Sequence, residues 1–304
     1  MPTVSVIVPT YNRADALPRT IESVLSQTHE DLELFVVDDA STDDTRAVVA
    51  AYEDDRLTYL RHEQNRGGSA ARNTGIDAST GEYVAFLDSD DEWRAGKLER
   101  QLAELEGRDD DWVAAYCGVT MVRENRENRV LGALRRRFGR LHDTEGAEGG
   151  AELVGAVLAD DLHTSAGSTL LVERAVAEQI DGFDESFDRF QDPEFLLRVL
   201  REGKLAFVDA PLVRRYASGS PSADALREAD EHYLETFAET VDQLEAAGRD
   251  IRGAHAYFLA KAYLAEGRFG TGLRYLVRAR RPSPRQYPGL AASVLSGVAA
   301  ATRE

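Results

Sequence analysis

The sequence predicts an α/β protein, with a doubly wound mixed sheet, largely parallel, over residues 1–219 and an all-helical subdomain over 220–304. Three observations carry this. Short apolar, β-prone runs alternate with helical patterns through the first part, as parallel sheets covered by helices on both faces require. Polar residues recur where those runs end, on the sheet edge that binds ligands in open α/β folds. From Ala223 onward only helical periodicity remains.

The strands read at Val4–Val8, Leu32–Asp38, Leu57–Arg61, Tyr83–Leu87 and Val113–Met121, each a compact run of Val, Ile, Leu, Phe or Tyr. Helical patterns fall between them, at about residues 14–27, 43–52, 68–78 and 95–106. Ser41-Thr42-Asp43-Asp44 provides an N-cap cluster for the second. Val122–Gly150 is charged and reads as a loop. Ordered patterns resume at Glu152–Leu158 and Ser168–Glu173, followed by a helix at Pro193–Glu202 and short strands at Ala206–Val208 and Leu212–Tyr216. The C-terminal helices read at about residues 223–247, 253–266, 270–280 and 286–301, divided by Gly248, Gly267 and Pro282. Residues 1–120 and 150–219 form the two halves of this first part.

Composition narrows the function. Asp plus Glu outnumber Lys plus Arg by 54 to 36, a net charge of −18, and such a field repels nucleic acid. Lys97, Lys204 and Lys261 are the three lysines. Scarce lysine with strong acidity points to a high-salt cytosol, as in halophilic archaea, where screening removes most of the self-repulsion. The single cysteine, Cys117, excludes an intrachain disulfide framework and reads as a core residue. The chain enters a strand pattern within three residues, and no run approaches the ~20 apolar residues of a membrane span. The expected location is cytoplasmic, with peripheral attachment to the cytosolic membrane face as a further expectation.

The run Tyr83–Leu87 stops abruptly at Asp88-Ser89-Asp90-Asp91-Glu92. Carboxylates delivered at a strand end suit a hard cation, Mg²⁺ or Mn²⁺, that can hold phosphates. A solvated acidic turn is the alternative reading of the same residues.

Six segments, in this order and spacing, resemble family 2 glycosyltransferases of GT-A fold. They are VSVIVPTYNR (Val4–Arg13), FVVDDASTDDT (Phe35–Thr45), NRGG with ARN (Asn65–Asn73), FLDSDD (Phe86–Asp91), DGFDESF (Asp181–Phe187) and FQDPEFLLRVL (Phe190–Leu200). The resemblance implies that Pro9, Thr10 and Tyr11 hold the nucleobase, with Tyr11 offering a stacking face. It implies that Asp39 reads the base, that Asp38 supports it or contacts ribose, and that Arg72 lies near the nucleotide. Asp88 and Asp90 are then a DxD motif, Asp90 on the metal and Asp88 on ribose or a metal-bound water. Asp192 becomes the general base, with Gln191 where the family's pattern carries Glu. Capping of the helix that begins at Pro193 is the structural alternative for Asp192.

The implied enzyme is metal-dependent and inverting, moving one hexose or hexuronic acid from a UDP-sugar or other nucleotide-sugar to a glycan. Membrane spans and a QxxRW motif, which mark processive synthases, are lacking. As an acidic family 2-like chain without spans it also resembles haloarchaeal transferases of protein N-glycosylation and S-layer biogenesis, which act on dolichol-phosphate-linked glycans. Two basic clusters fit an anionic carrier or membrane: Arg135, Arg136, Arg137 and Arg140, and Arg274, Arg278, Arg280, Arg281 and Arg285. Two other classes remain open at this stage, a sugar-phosphate nucleotidyltransferase and a non-catalytic scaffold that binds partners through its helical C-terminus.

Overall fold

The computed structural model describes residues 2–122, 146–216, 219, 221–284 and 286–301. Arg135, Arg136, Arg137, Arg140 and Arg285, with most of the 122–150 segment, lie outside the described residues. Two compact units emerge. One holds residues up to 122, 146–154 and 163–216; the other holds 155–162 with the chain from 219 on.

In the first unit the elements follow as β1 (Val4–Thr10), α1 (Leu17–Leu25), β2 (Leu32–Asp38), α2 (Thr45–Ala50), β3 (Leu57–Arg61), α3 (Gly68–Ala78), β4 (Tyr83–Phe86), β5 (Glu92–Trp93), α4 (Lys97–Glu106) and β6 (Trp112–Val122). After α5 (Val154–Leu158), which runs into the second unit, come α6 (Ala166–Thr169), β7 (Leu171–Glu173), α7 (Arg174–Gln179), α8 (Gln191–Glu202) and β8 (Lys204–Tyr216). The described strands form one eight-stranded sheet in the order β3-β2-β1-β4-β7-β6-β8-β5. Strands β3, β2, β1 and β4 run parallel. β7 is antiparallel to both β4 and β6, β6 and β8 are parallel, and β5 pairs antiparallel to β8. This is the mixed α/β sheet expected.

Why these runs become strands is plain from burial. Val6, Val8, Leu34, Val36, Ala85 and Leu87 pack with Ile21 and Leu98 from the covering helices in one apolar core. At about 25 cal/mol per Å², that burial dominates the stability of the sheet. Cys117 lies in the same core, and burial pushes its thiol up to about 11, so it is an inert packing group.

Two boundaries differ from expectation. Ala206–Val208 and Leu212–Tyr216 are parts of one strand, because irregular pairing around Gly118 and Pro211 lets β8 pass through its proline. Helix α8 begins two residues before Pro193. Phe190, at φ 60°, turns the chain into the helix, and Pro193 falls in the first turn, where a missing N–H breaks no helical bond.

The second unit contains α9 (Ala223–Thr236), α10 (Ala238–Ala246), α11 (Ile251–Ala265), α12 (Phe269–Arg278) and α13 (Tyr287–Ala301). The pattern expected at 223–247 is thus two helices meeting at Phe237. Ser222 and Asp250 cap α9 and α11 through their side chains. Leu259 and Tyr263 of α11 pack with Ala223 in a small core, and Tyr263 stacks on Tyr275 at 5.4 Å.

Candidate active site

The first half of the site is the edge where β1 and β2 end side by side. Pro9 and Thr10 lie in register with Val37 and Asp38. Beyond them the two loops lace together. Asp39 N donates to Thr10 O at 2.9 Å, Asn12 N to Ser41 Oγ at 2.8 Å, and Thr42 N to Asn12 Oδ1 at 2.8 Å. Asn12 sits at φ 52°, a conformation its short side chain tolerates. These bonds leave the Tyr11 ring 47 % exposed at the rim, open for a planar partner.

Asp38 and Asp39 are both buried and both anchored. Asp38 accepts from Ser41 N at 2.8 Å and from the Tyr59 hydroxyl, with Arg61 Nε 3.6 Å away. Burial and the Asp38 carboxylate push the Tyr59 hydroxyl well above its ordinary range. Asp39 accepts from Arg66 N at 2.8 Å and Gly67 N at 2.7 Å, and contacts His62 Nδ1 at 2.7 Å. The other ring nitrogen, His62 Nε2, lies 2.9 Å from Thr74 Oγ1, so the ring bridges β3's end to α3. Gly67, at φ +93°, allows the turn that aims both amides at Asp39. His62 and Thr74 were invisible in the sequence because nothing local marks them.

The second half lies beyond β4. Asp91 N donates to Asp88 O at 2.9 Å, closing a tight turn over Asp88-Ser89-Asp90-Asp91. Thr20 Oγ1, inside α1, donates to the carbonyls of both Ser89 and Asp91. Within this frame Arg72, buried on α3, puts Nη2 2.7 Å from Asp88 Oδ1 and 3.9 Å from Asp192 Oδ1. Its guanidinium lies 5.3 Å from the centre of the Phe183 ring. Gly167 N donates to Asp192 Oδ2 at 2.9 Å. Asp192 makes no side-chain cap on α8, so its carboxylate faces Gly167 and Arg72 instead. A Cβ at Gly167 would stand 2.6 Å from Asp192 Oδ2 and 3.1 Å from Asp88 Oδ1, so any larger residue there must displace the Asp192 carboxylate. Desolvation raises the Asp88 carboxyl; Arg72 pulls it down, while Asp192, Asp91 and Asp90 push it up further.

The donor set fits a divalent cation. Asp192 Oδ1 is buried with no hydrogen-bond partner, and Asp88, Asp90 and Asp192 raise negative charge that Arg72 and Arg13 (3.5 Å from Asp90 Oδ2) only partly offset. Among the described residues no three His, Cys, Asp or Glu side chains meet in a metal-holding group. Mg²⁺ commonly takes one or two carboxylates and completes its shell with water and substrate phosphates.

Asp91 and Glu92, given no role from sequence, fix the site's frame. Asp91 Oδ2 accepts from Ser168 Oγ at 2.6 Å and Oδ1 from Tyr216 N at 3.1 Å. Glu92 bonds Arg214 and the Tyr216 hydroxyl, and Arg19 lies over the Tyr216 ring at 3.6 Å. The end of β8 is thereby tied to the acidic turn.

This arrangement accompanies a direct family match. The description "Glycosyl transferase family 2" applies to residues 5–181, more than half of the chain. The chain belongs to glycosyl transferase family 2. A putative teichuronic acid biosynthesis glycosyltransferase of Bacillus subtilis is 48 % identical over 103 residues, 33 % of this chain and 41 % of the relative. The UDP-Glc:alpha-D-GlcNAc-diphosphoundecaprenol beta-1,3-glucosyltransferase of Escherichia coli is 45 % identical over 102 residues, 34 % of this chain and 40 % of the relative. The chain spans about two fifths of the length of either relative. S. aureus TarS, solved in complex with UDP, superposes with a TM-score of 0.56 at 16 % identity, covering 99 % of this chain and 92 % of that one. A mannosyltransferase from Pyrobaculum calidifontis, solved with GDP-Man and Mn2+, gives 0.54 at 19 % identity, covering 99 % and 74 %. The fold of this glycosyltransferase is thus GT-A. The sequence relatives named are bacterial, and they do not carry the expected kinship with haloarchaeal N-glycosylation enzymes.

Within this glycosyltransferase the later motifs have structural work. Asn73 on α3 bonds both Phe183 N and Phe183 O, holding Asp181-Gly182-Phe183 against the helix. Phe183 stacks on Phe195 at 4.1 Å, and Phe86 meets both rings edge-on, forming an aromatic floor beneath Arg72.

Proposed function

We propose that the enzyme transfers one sugar from a nucleotide-sugar, a UDP-sugar first of all, to a glycan hydroxyl with inversion at the anomeric carbon. The observation that carries this is the convergence of Asp88 and Asp192 on Arg72, with Asp192 Oδ1 making no hydrogen bond. An unoccupied, buried carboxylate oxygen is what a general base needs in order to accept a hydroxyl proton. Residues 1–219 act as the catalytic domain and 220–304 as a helical subdomain.

The Tyr11 ring and the anchored Asp38-Asp39 pair hold the nucleoside at the ends of β1 and β2, while Arg72 faces the diphosphate side. The acceptor oxygen bonds to the anomeric carbon as its proton passes to Asp192. The bond from that carbon to the phosphate oxygen breaks, and its electron pair leaves with the nucleoside diphosphate. Mg²⁺ or Mn²⁺ held by Asp90, with Asp88, supplies charge neutralisation for that leaving group. Gln191 in place of an acid removes one negative charge beside the base, which favours an anionic sugar such as a hexuronic acid.

The acceptor is a lipid-linked glycan. The E. coli relative's printed name specifies a diphosphoundecaprenol-linked acceptor and a UDP-Glc donor, and TarS was solved with UDP and with UDP-GlcNAc. The bacterial relative's name favours an undecaprenol-type lipid; the acidic, lysine-poor composition alone favours a dolichol-phosphate-linked glycan of archaeal protein N-glycosylation, extended at the cytosolic membrane face. The test is release of UDP from a UDP-sugar panel. Release that depends on divalent metal and is abolished by Asp90→Ala supports the reading; pyrophosphate release from a nucleoside triphosphate overturns it.

A further inference from the structure

Between Gly267 and Arg303 the chain has seven arginines and no aspartate or glutamate, although the whole protein carries a net charge of −18. The basic residues gather in the only part of the sequence that lacks acids over such a length. Two of them are already used, Arg268 on Asp224 and Arg280 on Asp161. Arg274, Arg278 and Arg281 are exposed and have no acidic partner among the described residues.

Helix α12 shows what accompanies them. Its exposed positions are Gly270, Leu273, Arg274, Val277 and Arg278, a single stripe at helical spacing. Leu273 is 56 % and Val277 87 % exposed, whereas an outer helix face is ordinarily polar. This face cannot be rolled inward. The opposite one is committed to α11, where a Cβ on buried Gly272 would come within 2.6 Å of Leu264 and Tyr275 stacks on Tyr263. The neighbouring α13 is apolar as well, exposing Tyr287, Leu295 and Val298, and Gly297 holds it close to the Leu264 carbonyl.

We propose that the outward face of α12 docks this enzyme on an anionic lipid bilayer, with Leu273 and Val277 in the headgroup–acyl boundary and Arg274, Arg278 and Arg281 on lipid phosphates. Arginines one turn from exposed aliphatic side chains match such a boundary, because their stems lie along the apolar layer while the guanidiniums reach the phosphates. No helix among the described residues is long and apolar enough to cross a membrane, so the contact is peripheral. A second copy of the chain is a poorer occupant. A two-fold contact would set this basic face against itself.

The inference stands apart from the catalytic reading and is tested separately, by flotation of the whole protein with vesicles. The two preparations are phosphatidylcholine alone and a mixture with phosphatidylglycerol, each at about 0.1 M and about 1 M salt. Binding to the mixed vesicles at low salt, weakened at high salt and absent on phosphatidylcholine alone, is the expected result. Each arginine near an anionic surface strengthens binding roughly fivefold. Arg274→Ser with Arg278→Ser therefore lowers it by at least about tenfold, and Leu273→Asp with Val277→Asp does the same. Both variants keep the wild-type melting temperature and rate of UDP release. No flotation at low salt, or unchanged flotation of both variants, overturns the proposal. So does light scattering that shows a dimer lost on Val277→Asp, which assigns the face to a second copy. Wild-type protein that floats but releases no UDP disproves the glycosyl-transfer reading alone.

Discussion

Ser168 Oγ donates to Asp91 Oδ2 at 2.6 Å, and that buried bond holds the acidic turn after β4 to helix α6. The same carboxylate accepts from Tyr216 N at the end of β8 and lies 3.6 Å from Arg215 Nε. Burial raises the Asp91 carboxyl, and Ser168, Arg215 and the Tyr216 amide draw it back down. Asp91 thus joins three segments far apart in sequence.

Asp91→Ala leaves the Ser168 hydroxyl and the Tyr216 amide without their acceptor. The expected loss is about 3 kcal/mol of unfolding free energy, because truncating one member of a buried polar network exposes the full desolvation cost of the others. Asp91→Asn keeps one accepting oxygen for Tyr216 N, and its amide can donate to Ser168 Oγ once that hydroxyl rotates. It should lose about 1 kcal/mol or less. Urea denaturation of the two variants measures the difference; equal losses would show that charge, not hydrogen bonding, is what Asp91 contributes.

Gly167 sits where the two site carboxylates approach each other. In Gly167→Ala the new methyl would stand 2.6 Å from Asp192 Oδ2, below any van der Waals contact, so Asp192 must turn away. A displacement of about 1 Å in a reacting group can lower the rate on the order of 100-fold. Transfer should fall by that order while binding of UDP, measured by calorimetry, changes less than about threefold. A variant with full transfer activity would place the reacting hydroxyl away from Asp192.

Much of this site was legible because three of its motifs end strands. Runs such as Val4–Thr10 and Leu32–Asp38 are buried from end to end, and burial is what an apolar run encodes. Pro9, Asp38, Asp39 and Asp88 could therefore be placed on one sheet edge from order alone. What escaped notice depends on contacts between distant segments. Asp91 meets Ser168 and Tyr216, 77 and 125 residues away, and Gly167 meets Asp192 across a turn in the fold. The strand Glu92–Trp93 is two residues long and has no period to read. Capping was the alternative to a general base for Asp192, because Pro193 follows it. The left-handed Phe190 starts the helix earlier and frees that carboxylate for the site.

The helical unit has its own titrating pair. His255 is buried on α11, with Nδ1 on Asp230 and Nε2 2.7 Å from Leu158 O. Burial alone would lower its pKa. The hydrogen bond and charge of Asp230, the Leu158 carbonyl and the charge of Asp160 outweigh it and hold the pKa above the ordinary 6.5. Both ring nitrogens facing oxygen acceptors favour the doubly protonated ring. A histidine with a raised folded pKa binds its proton more tightly in the folded state. That stability is complete below the unfolded value and disappears as pH climbs through the folded one. Melting temperatures measured from about pH 6 upward should therefore fall. His255→Gln should flatten that dependence, and an unchanged slope would mean that another group titrates.

Asp192→Asn tests the proton acceptor itself. The amide occupies the same space, and its oxygen can still take the bond from Gly167 N at 2.9 Å, so the fold and the donor site are preserved. The amide has no basicity, and a positioned general base contributes about 100- to 10,000-fold to rate. Transfer to a glycan acceptor should fall within that range, while the dissociation constant for UDP stays within about threefold. The measurement is a pair of assays on one preparation, calorimetric UDP binding and acceptor-dependent UDP release. Loss of binding together with transfer would make Asp192 a donor-site residue, and retained transfer would move the base elsewhere. Only loss of transfer with binding intact fits a carboxylate whose Oδ1 has no hydrogen-bond partner in the fold.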